Sequence, residues 1–251
     1  MHDRSRAVHD EAIIVDALQI SNWGESVFRN MRHGGLTAVN CTVSVLENFR
    51  ETIANIVEWD QYFNEYSDLI VPVRSTADIL AAKKGGKTGI IFGFQNTTAI
   101  EEDIGLLAIF QALGVRVIQL TYMEANLVGQ GCLERLDAGL TRFGLEVIEE
   151  MNRLGILIDL SHVGYRTTMD AIEASAKPVA FTHANPYSLC SHARNKPDDA
   201  IKALAKKGGV IGATVFPPFL PAGKDSTIED FIDVIEYLVE MVGIDHVAIG
   251  S

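Results

Sequence analysis

The sequence contains few cysteines and no basic segment, and both absences narrow the classes of protein to which it belongs. Its three cysteines, Cys41, Cys132 and Cys190, are scattered, and no Cys-x-x-Cys pair occurs in the 251 residues. This usage is typical of a reducing compartment rather than of a disulfide framework, so we expect a cytoplasmic protein. The formal net charge of -12 and the lack of clustered Lys and Arg argue against a nucleic-acid partner.

Long apolar runs are also missing. No run approaches the length of about 20 residues that a membrane span requires. The first eleven residues are charged and lack the apolar core of a signal peptide. We therefore predict a chain that binds neither nucleic acid nor a membrane; the small-molecule substrate that we also expect rests on the motifs described below.

What the sequence does have is a regular alternation of short apolar runs and longer helical patterns. Helical periodicity is clear in residues 143–154 and 227–242. The short runs are nearly continuous in apolar residues, as in parallel strands that are buried on both faces. They lie at 12–16, 36–41, 88–94, 115–120, 156–160, 178–182, 209–215 and 246–250.

Eight such strands alternating with helices predict an α/β fold, a (β/α)8 TIM barrel formed by a single domain of residues 1–251. An open doubly wound sheet is the alternative, but no glycine-rich phosphate loop follows any strand. The sequence ends at Ser251, directly after the eighth predicted strand, where a barrel normally has a helix. We expect that last helix to lie beyond the sequence given.

Two histidines follow neighbouring predicted strands, at the end of the barrel where active sites lie. His162 follows the fifth predicted strand and His183 the sixth. Neutral imidazoles on adjacent strands are typical zinc ligands, although a single histidine there is as readily a polar cap. Asp159 would either orient a metal ligand or accept backbone N–H groups. Arg194 would either bind a substrate carboxylate or form a loop salt bridge.

These residues lie in longer motifs that resemble the membrane dipeptidase family, peptidase family M19, whose barrels are of the metal-dependent, amidohydrolase-like type. The resemblance covers essentially the whole chain. Its motifs are residues 119–122, 126–129, 150–164, 178–185, 192–195 and 243–251.

The resemblance implies a dinuclear zinc site that hydrolyses dipeptides with a free carboxylate. His162 and His183 would be ligands of one metal ion, and Arg194 would bind the substrate carboxylate. Tyr122 and Asn185 would contact the substrate. The resemblance is also compatible with a homodimer.

The chain departs from the family pattern at the residues that would bind the other metal ion. After the first strand the family reads Asp-Gly-His-Asn-Asp, but here Leu18 replaces the histidine and Ile20 the final aspartate. The glutamate that bridges both metals is replaced by Gln95. Aliphatic side chains cannot bind a metal, and a neutral amide bridges two cations poorly. We therefore predict a degenerate first site and one zinc ion, held by His162, His183 and Gln95.

Three functions are compatible with this pattern. The one that we favour is a mononuclear, dipeptidase-like metal-dependent hydrolase of a small peptide or amide with a free carboxylate. The second is a metal-independent enzyme of altered chemistry that acts on a small amino-acid derivative. The third is a non-catalytic binding homologue, which the loss of several metal ligands favours.

Overall fold

Parallel strands surrounded by helices form the chain from residue 2 to residue 251, the part that the computed structural model describes. Eight of the strands close into a ring in the order β1-β2-β4-β5-β6-β7-β8-β9, and β9 pairs with β1. This confirms the (β/α)8 barrel. The strands are β1 Val15–Gln19, β2 Ala38–Ser44, β3 Ile70–Pro72, β4 Thr88–Phe94, β5 Val115–Gln119, β6 Leu157–Asp159, β7 Ala180–Phe181, β8 Val210–Ala213 and β9 Val247–Ile249.

Two features of the strands differ from the sequence-based expectation. The first strand lies three residues later than predicted, because residues 12–14 connect it to the preceding helix. The short strand β3 was not predicted, because three residues that end in proline carry little pattern. It pairs with the beginning of β4, at Ile70 with Thr88, whereas β5 pairs with the end of β4, at Phe92 with Val115. Thus β3 lies outside the ring.

Helices precede every strand, and several of them begin and end where the sequence indicates. Thr227 and Asp230 form a capping box at the start of the last helix, as their spacing predicts. Gly155 has φ 71° directly after a helix, a left-handed conformation that glycine adopts without strain. The helices are α1 His2–Glu11, α2 Glu25–His33, α3 Phe49–Glu65, α4 Thr76–Gly85, α5 Leu106–Leu113, α6 Arg142–Leu154, α7 Tyr165–Ala174, α8 Asp198–Lys206 and α9 Ile228–Val242.

Alternate strand residues belong to one large apolar core that the helices share. Val39, Ile90, Ile118, Ile158 and Phe181 are buried in it. Because side chains alternate along a strand, the intervening positions point to the other face of the sheet. Those positions carry buried polar residues, namely Asn40, Gln119, Asp159 and Thr182. The barrel thus has polar groups near the carboxyl ends of its strands.

The ring closes between residues that are far apart in the sequence. Asp16 in β1 pairs with Ile249 in β9. Its carboxylate also accepts hydrogen bonds from the backbone N–H of Ser251, at 3.0 Å, and from the Ser251 hydroxyl, at 2.6 Å. Within residues 2–251, no helix is both long and apolar enough to cross a membrane.

Candidate functional site

The loops after β6 and β7 bring His162 and His183 together at the carboxyl end of the barrel. Their Nε2 atoms are 2.9 Å apart, and their ring centroids are 4.9 Å apart. Both side chains are buried. Burial lowers the pKa of each imidazole well below its ordinary value, and the positive charge of Arg194 lowers it further. Both histidines are therefore neutral at physiological pH, the form that binds metals.

A chain of hydrogen bonds fixes the tautomer of His183. The Thr182 hydroxyl donates to Asp159 at 2.7 Å and lies 2.8 Å from Nδ1 of His183. Because that hydroxyl proton is directed at the carboxylate, the hydroxyl oxygen accepts from Nδ1–H of His183. Nε2 of His183 consequently carries a lone pair that points at His162. This arrangement presents His183 to a metal ion through Nε2.

Asp159 supports the same loops through backbone contacts. Its carboxylate accepts the backbone N–H of Ser161 at 3.0 Å and that of Thr182 at 3.1 Å. It also accepts the Ser161 hydroxyl at 2.6 Å. One buried carboxylate thus holds the residue before each histidine, and it reaches the His183 ring only through Thr182.

His162 is held by stacking rather than by hydrogen bonds to its second nitrogen. The Tyr122 ring stacks on it with centroids 4.3 Å apart and an interplanar angle of 25°. The backbone N–H of Cys132 donates to the His162 carbonyl at 2.8 Å. Nδ1 of His162 is buried without a hydrogen-bond partner among residues 2–251. Tyr122 thus lies beside His162, and its predicted contact with a substrate stays a prediction.

Arg194 lies beneath both histidine loops. Its Nη1 donates to the Ser161 carbonyl, and its Nη2 donates to the His183 carbonyl at 2.8 Å. The guanidinium is only 1% exposed and lies 5.3 Å from the centroid of the Phe219 ring. No carboxylate of the described residues lies within 4.0 Å of it, so the loop salt bridge considered from the sequence is not present. Burial lowers the pKa of Arg194 to about 10.

Gln95 and Asn185 lie in the loops after β4 and β7. Nε2 of Gln95 donates to the Thr42 hydroxyl at 2.9 Å, and no hydrogen bond of the described chain joins Gln95 to either histidine. Asn185 is fully buried. Its amide donates to the Thr214 carbonyl at 3.0 Å and accepts the Thr214 N–H at 2.9 Å, which ties two loops of the barrel mouth together.

Lys196 is a buried cation of this region that the sequence reasoning did not select. Its ammonium donates to the Val163 carbonyl at 2.6 Å. Lys196 lies two residues after Arg194, so the two cations contact the carbonyls of Ser161 and Val163 on either side of His162. The spacing of two residues between Arg194 and Lys196 was the sequence signal that both side chains face the same loops. Lysine side chains are usually exposed, however, so the burial of Lys196 was not expected.

His162 and His183 are the potential metal ligands that the described part of the chain brings together at this end of the barrel. Across residues 2–251, no three His, Cys, Asp or Glu side chains converge as potential metal ligands. Leu18 is buried and Ile20 is exposed, and neither has a donor atom. Two neutral imidazoles whose Nε2 atoms converge are suitable ligands for a single zinc ion, but a second dication needs carboxylates.

Comparisons with known proteins identify relatives along most of the chain. The family model described as membrane dipeptidase (peptidase family M19) matches residues 20–251. The uncharacterized dipeptidase C965.12 of Schizosaccharomyces pombe is 33% identical over 212 residues, which are 80% of this chain and 50% of that protein. Dipeptidase tcpJ of Claviceps purpurea is 30% identical over 209 residues, 81% of this chain and 49% of that protein. The chain spans about half the length of these curated relatives.

Solved structures share the barrel. An amidohydrolase from Pseudomonas aeruginosa superposes with a TM-score of 0.96 at 49% identity, over 98% of this chain and 75% of that one. A metallo peptidase from Rhodobacter sphaeroides, solved with a phosphinate mimic of L-Ala-D-Ala, gives a TM-score of 0.84 at 20% identity. That match covers 99% of this chain and 81% of the peptidase, and at this identity it supports the fold alone.

Proposed function

Because this chain belongs to the membrane dipeptidase family (peptidase family M19), we propose that it is a dipeptidase-like metallohydrolase of a small peptide or amide with a free carboxylate. The observation that carries the proposal is the convergence of the two Nε2 atoms of His162 and His183, 2.9 Å apart at the carboxyl end of the barrel. Active sites of such barrels lie at this end.

The residues present are compatible with one zinc ion. His162 and His183 would bind it through Nε2, and Gln95 would add its amide oxygen, since its amide nitrogen already donates to Thr42. A zinc ion held there would act as a Lewis acid toward the substrate and would make a water molecule more acidic.

The chain's own side chains prepare this site before any substrate arrives. Asp159, through Thr182, keeps a proton on Nδ1 of His183 and therefore a lone pair on Nε2. The Tyr122 ring restricts the rotation of His162 by stacking. Arg194 holds the backbone of both histidine loops, and we propose that it also contributes positive charge to the recognition of the substrate carboxylate.

One observation supports the metal-independent alternative. In addition to the larger effect of burial, the charges of Arg194 and Lys196 lower the pKa of both imidazoles, and the same charges disfavour a dication. Such a site would accept a small, carboxylate-bearing amino-acid derivative, with His162 or His183 as the acid or base.

Metal reconstitution distinguishes the two functions. The protein is stripped with a chelator, loaded with zinc and desalted, and its metal content and hydrolysis of a dipeptide panel are measured. We expect one zinc ion per chain and chelator-sensitive hydrolysis. His162→Ala and His183→Ala should lose both, whereas His33→Ala, an exposed histidine at the end of α2, should keep both. Turnover that persists without metal would support the alternative and contradict our proposal.

A further inference from the structure

Lys196 is a buried cation whose contacts in the described part of the chain include no counter-ion. It is only 3% exposed, and among residues 2–251 its ammonium has one hydrogen-bond acceptor, the Val163 carbonyl. No carboxylate within residues 2–251 approaches it to 4.0 Å. The centroid of the Phe181 ring lies 5.1 Å from the ammonium nitrogen. A buried ammonium normally has a charged partner, so this one indicates a partner from outside the chain.

A cavity of about 150 Å³ lies next to Lys196, where α7 and α8 begin. Its wall contains Cys132, Tyr165, Tyr187 and Ala193, and Lys196 is the one cationic side chain among the residues that line it. Arg194 does not line this cavity. The space is large enough for a small organic ion the size of acetate or propionate.

The groups around the cavity give Lys196 no direct ionic partner among the described residues, although the more distant charges of Asp159 and Asp137 oppose the effect of burial on its pKa. Burial raises the pKa of the Cys132 thiol, so it remains uncharged. The carboxylate of Asp137 is occupied by the backbone N–H groups of Arg166 and Thr167. The Tyr165 hydroxyl donates to Asp199 at 2.6 Å, which occupies that carboxylate as well.

Burial, together with the charge of Arg194, lowers the pKa of Lys196 to about 7. The folded chain therefore disfavours the bare ammonium, and an anion in the cavity would remove that penalty.

We propose that the cavity beside Lys196 is a binding site for a small carboxylate, which Lys196 recognises by a charge-assisted hydrogen bond. The site goes beyond the proposed hydrolysis, because it needs neither the metal nor the histidine pair. Two sources of carboxylate have the required chemistry, namely the acidic side chain of a substrate and a free organic acid.

Calorimetric titration of metal-free protein tests the site directly. Acetate and propionate are titrated at constant ionic strength, with chloride and ethylammonium as controls for charge and size. We expect saturable binding of both carboxylates and none of ethylammonium. Using metal-free protein separates this result from the proposed hydrolysis, since failure of zinc binding would leave carboxylate binding unchanged.

Three variants locate the binding. Lys196→Met removes the charge but keeps the length of the side chain, and it should abolish binding. Ala193→Leu narrows the cavity at an exposed wall residue, so it should weaken binding while the core stays intact. Lys202→Met, which removes an exposed lysine from α8, is the matched control and should bind like the wild type. Binding that survives in Lys196→Met, or wild-type heats for carboxylates equal to those for chloride, would overturn the proposal.

The source of the carboxylate follows from hydrolysis of matched dipeptides. If it is a substrate side chain, the kcat/KM preference for a Glu-containing over a Gln-containing dipeptide disappears in Lys196→Met. If it is a free acid, propionate binds the wild type with the same affinity when a Glu-containing dipeptide is present. Both outcomes support a carboxylate site at Lys196.

Discussion

Replacing the buried Lys196 with methionine should stabilise the protein, and by an amount that depends on pH. Burial lowers the pKa of Lys196 from its ordinary value of 10.5 to about 7. Each tenfold change in proton affinity corresponds to about 1.4 kcal/mol. Keeping Lys196 protonated in the folded state therefore costs about 5 kcal/mol at pH 6, where both the folded and the unfolded chain carry the proton.

Methionine removes this cost but also removes a hydrogen bond. The Val163 carbonyl loses the ammonium at 2.6 Å and keeps the Thr168 hydroxyl at 3.3 Å. A buried carbonyl that loses a partner costs about 1–3 kcal/mol. The expected net gain at pH 6 is therefore about 2–4 kcal/mol in the free energy of unfolding.

The gain should fall as the pH rises. Between pH 7 and 10.5 the unfolded chain binds more protons at Lys196 than the folded chain does, so the stability of the wild type increases with pH. Well inside this range, the free energy of unfolding of the wild type should rise by about 1.4 kcal/mol per pH unit because of Lys196, and the methionine variant should lack this contribution. Its advantage should therefore decrease by about 2 kcal/mol between pH 7 and pH 9, because the slope at pH 7, the folded-state pKa, is half of its full value.

Urea unfolding of both proteins at pH 6, 7, 8 and 9, followed by circular dichroism, measures this difference. The other titrating groups are common to both proteins, so their contributions to the pH dependence of stability largely cancel in the comparison. The Lys202→Met control should show no pH-dependent difference from the wild type. An advantage that does not change with pH, or a Lys196→Met variant that is less stable at pH 6, would refute the reasoning.

Two further predictions concern the metal. Thr182→Val breaks the hydrogen-bonded link from Asp159 to His183 and should weaken zinc binding by about 10- to 100-fold, as measured in competition with a chelator. Thr182→Ser keeps the hydroxyl and should bind zinc like the wild type. If Thr182→Val and the wild type bind zinc with equal affinity, Thr182 does not fix the tautomer of His183 for metal binding. The triple variant Leu18→His, Ile20→Asp, Gln95→Glu restores the family's ligand types and should raise the zinc content from one to two ions per chain. A content that stays at one would show that the first strand no longer presents these positions to the site.

The sequence predicts the barrel and the histidine pair because both follow from a simple periodicity. Strand ends in a parallel barrel share one edge, so placing His162 and His183 after adjacent strands is enough to bring them together. Gln95 was placed by the same reasoning, but strand position does not determine its side-chain contacts, and the structure joins it to Thr42. Lys196 was missed because its burial depends on tertiary packing, which no local pattern records.

The joining of β1 to β9 has a consequence for the order of assembly. The contact between Asp16 and Ser251 spans 235 positions of the chain, so β1 finds its second neighbour only after β9 has been synthesised. Until then β1 is an unpaired edge, open to association with other chains. Contacts of such long range slow folding, because a large loop closes before they form. Closure of the barrel between β1 and β9 is therefore a slow step of folding, and substitutions at Asp16 should lower the yield of folded protein more than they lower activity per folded molecule.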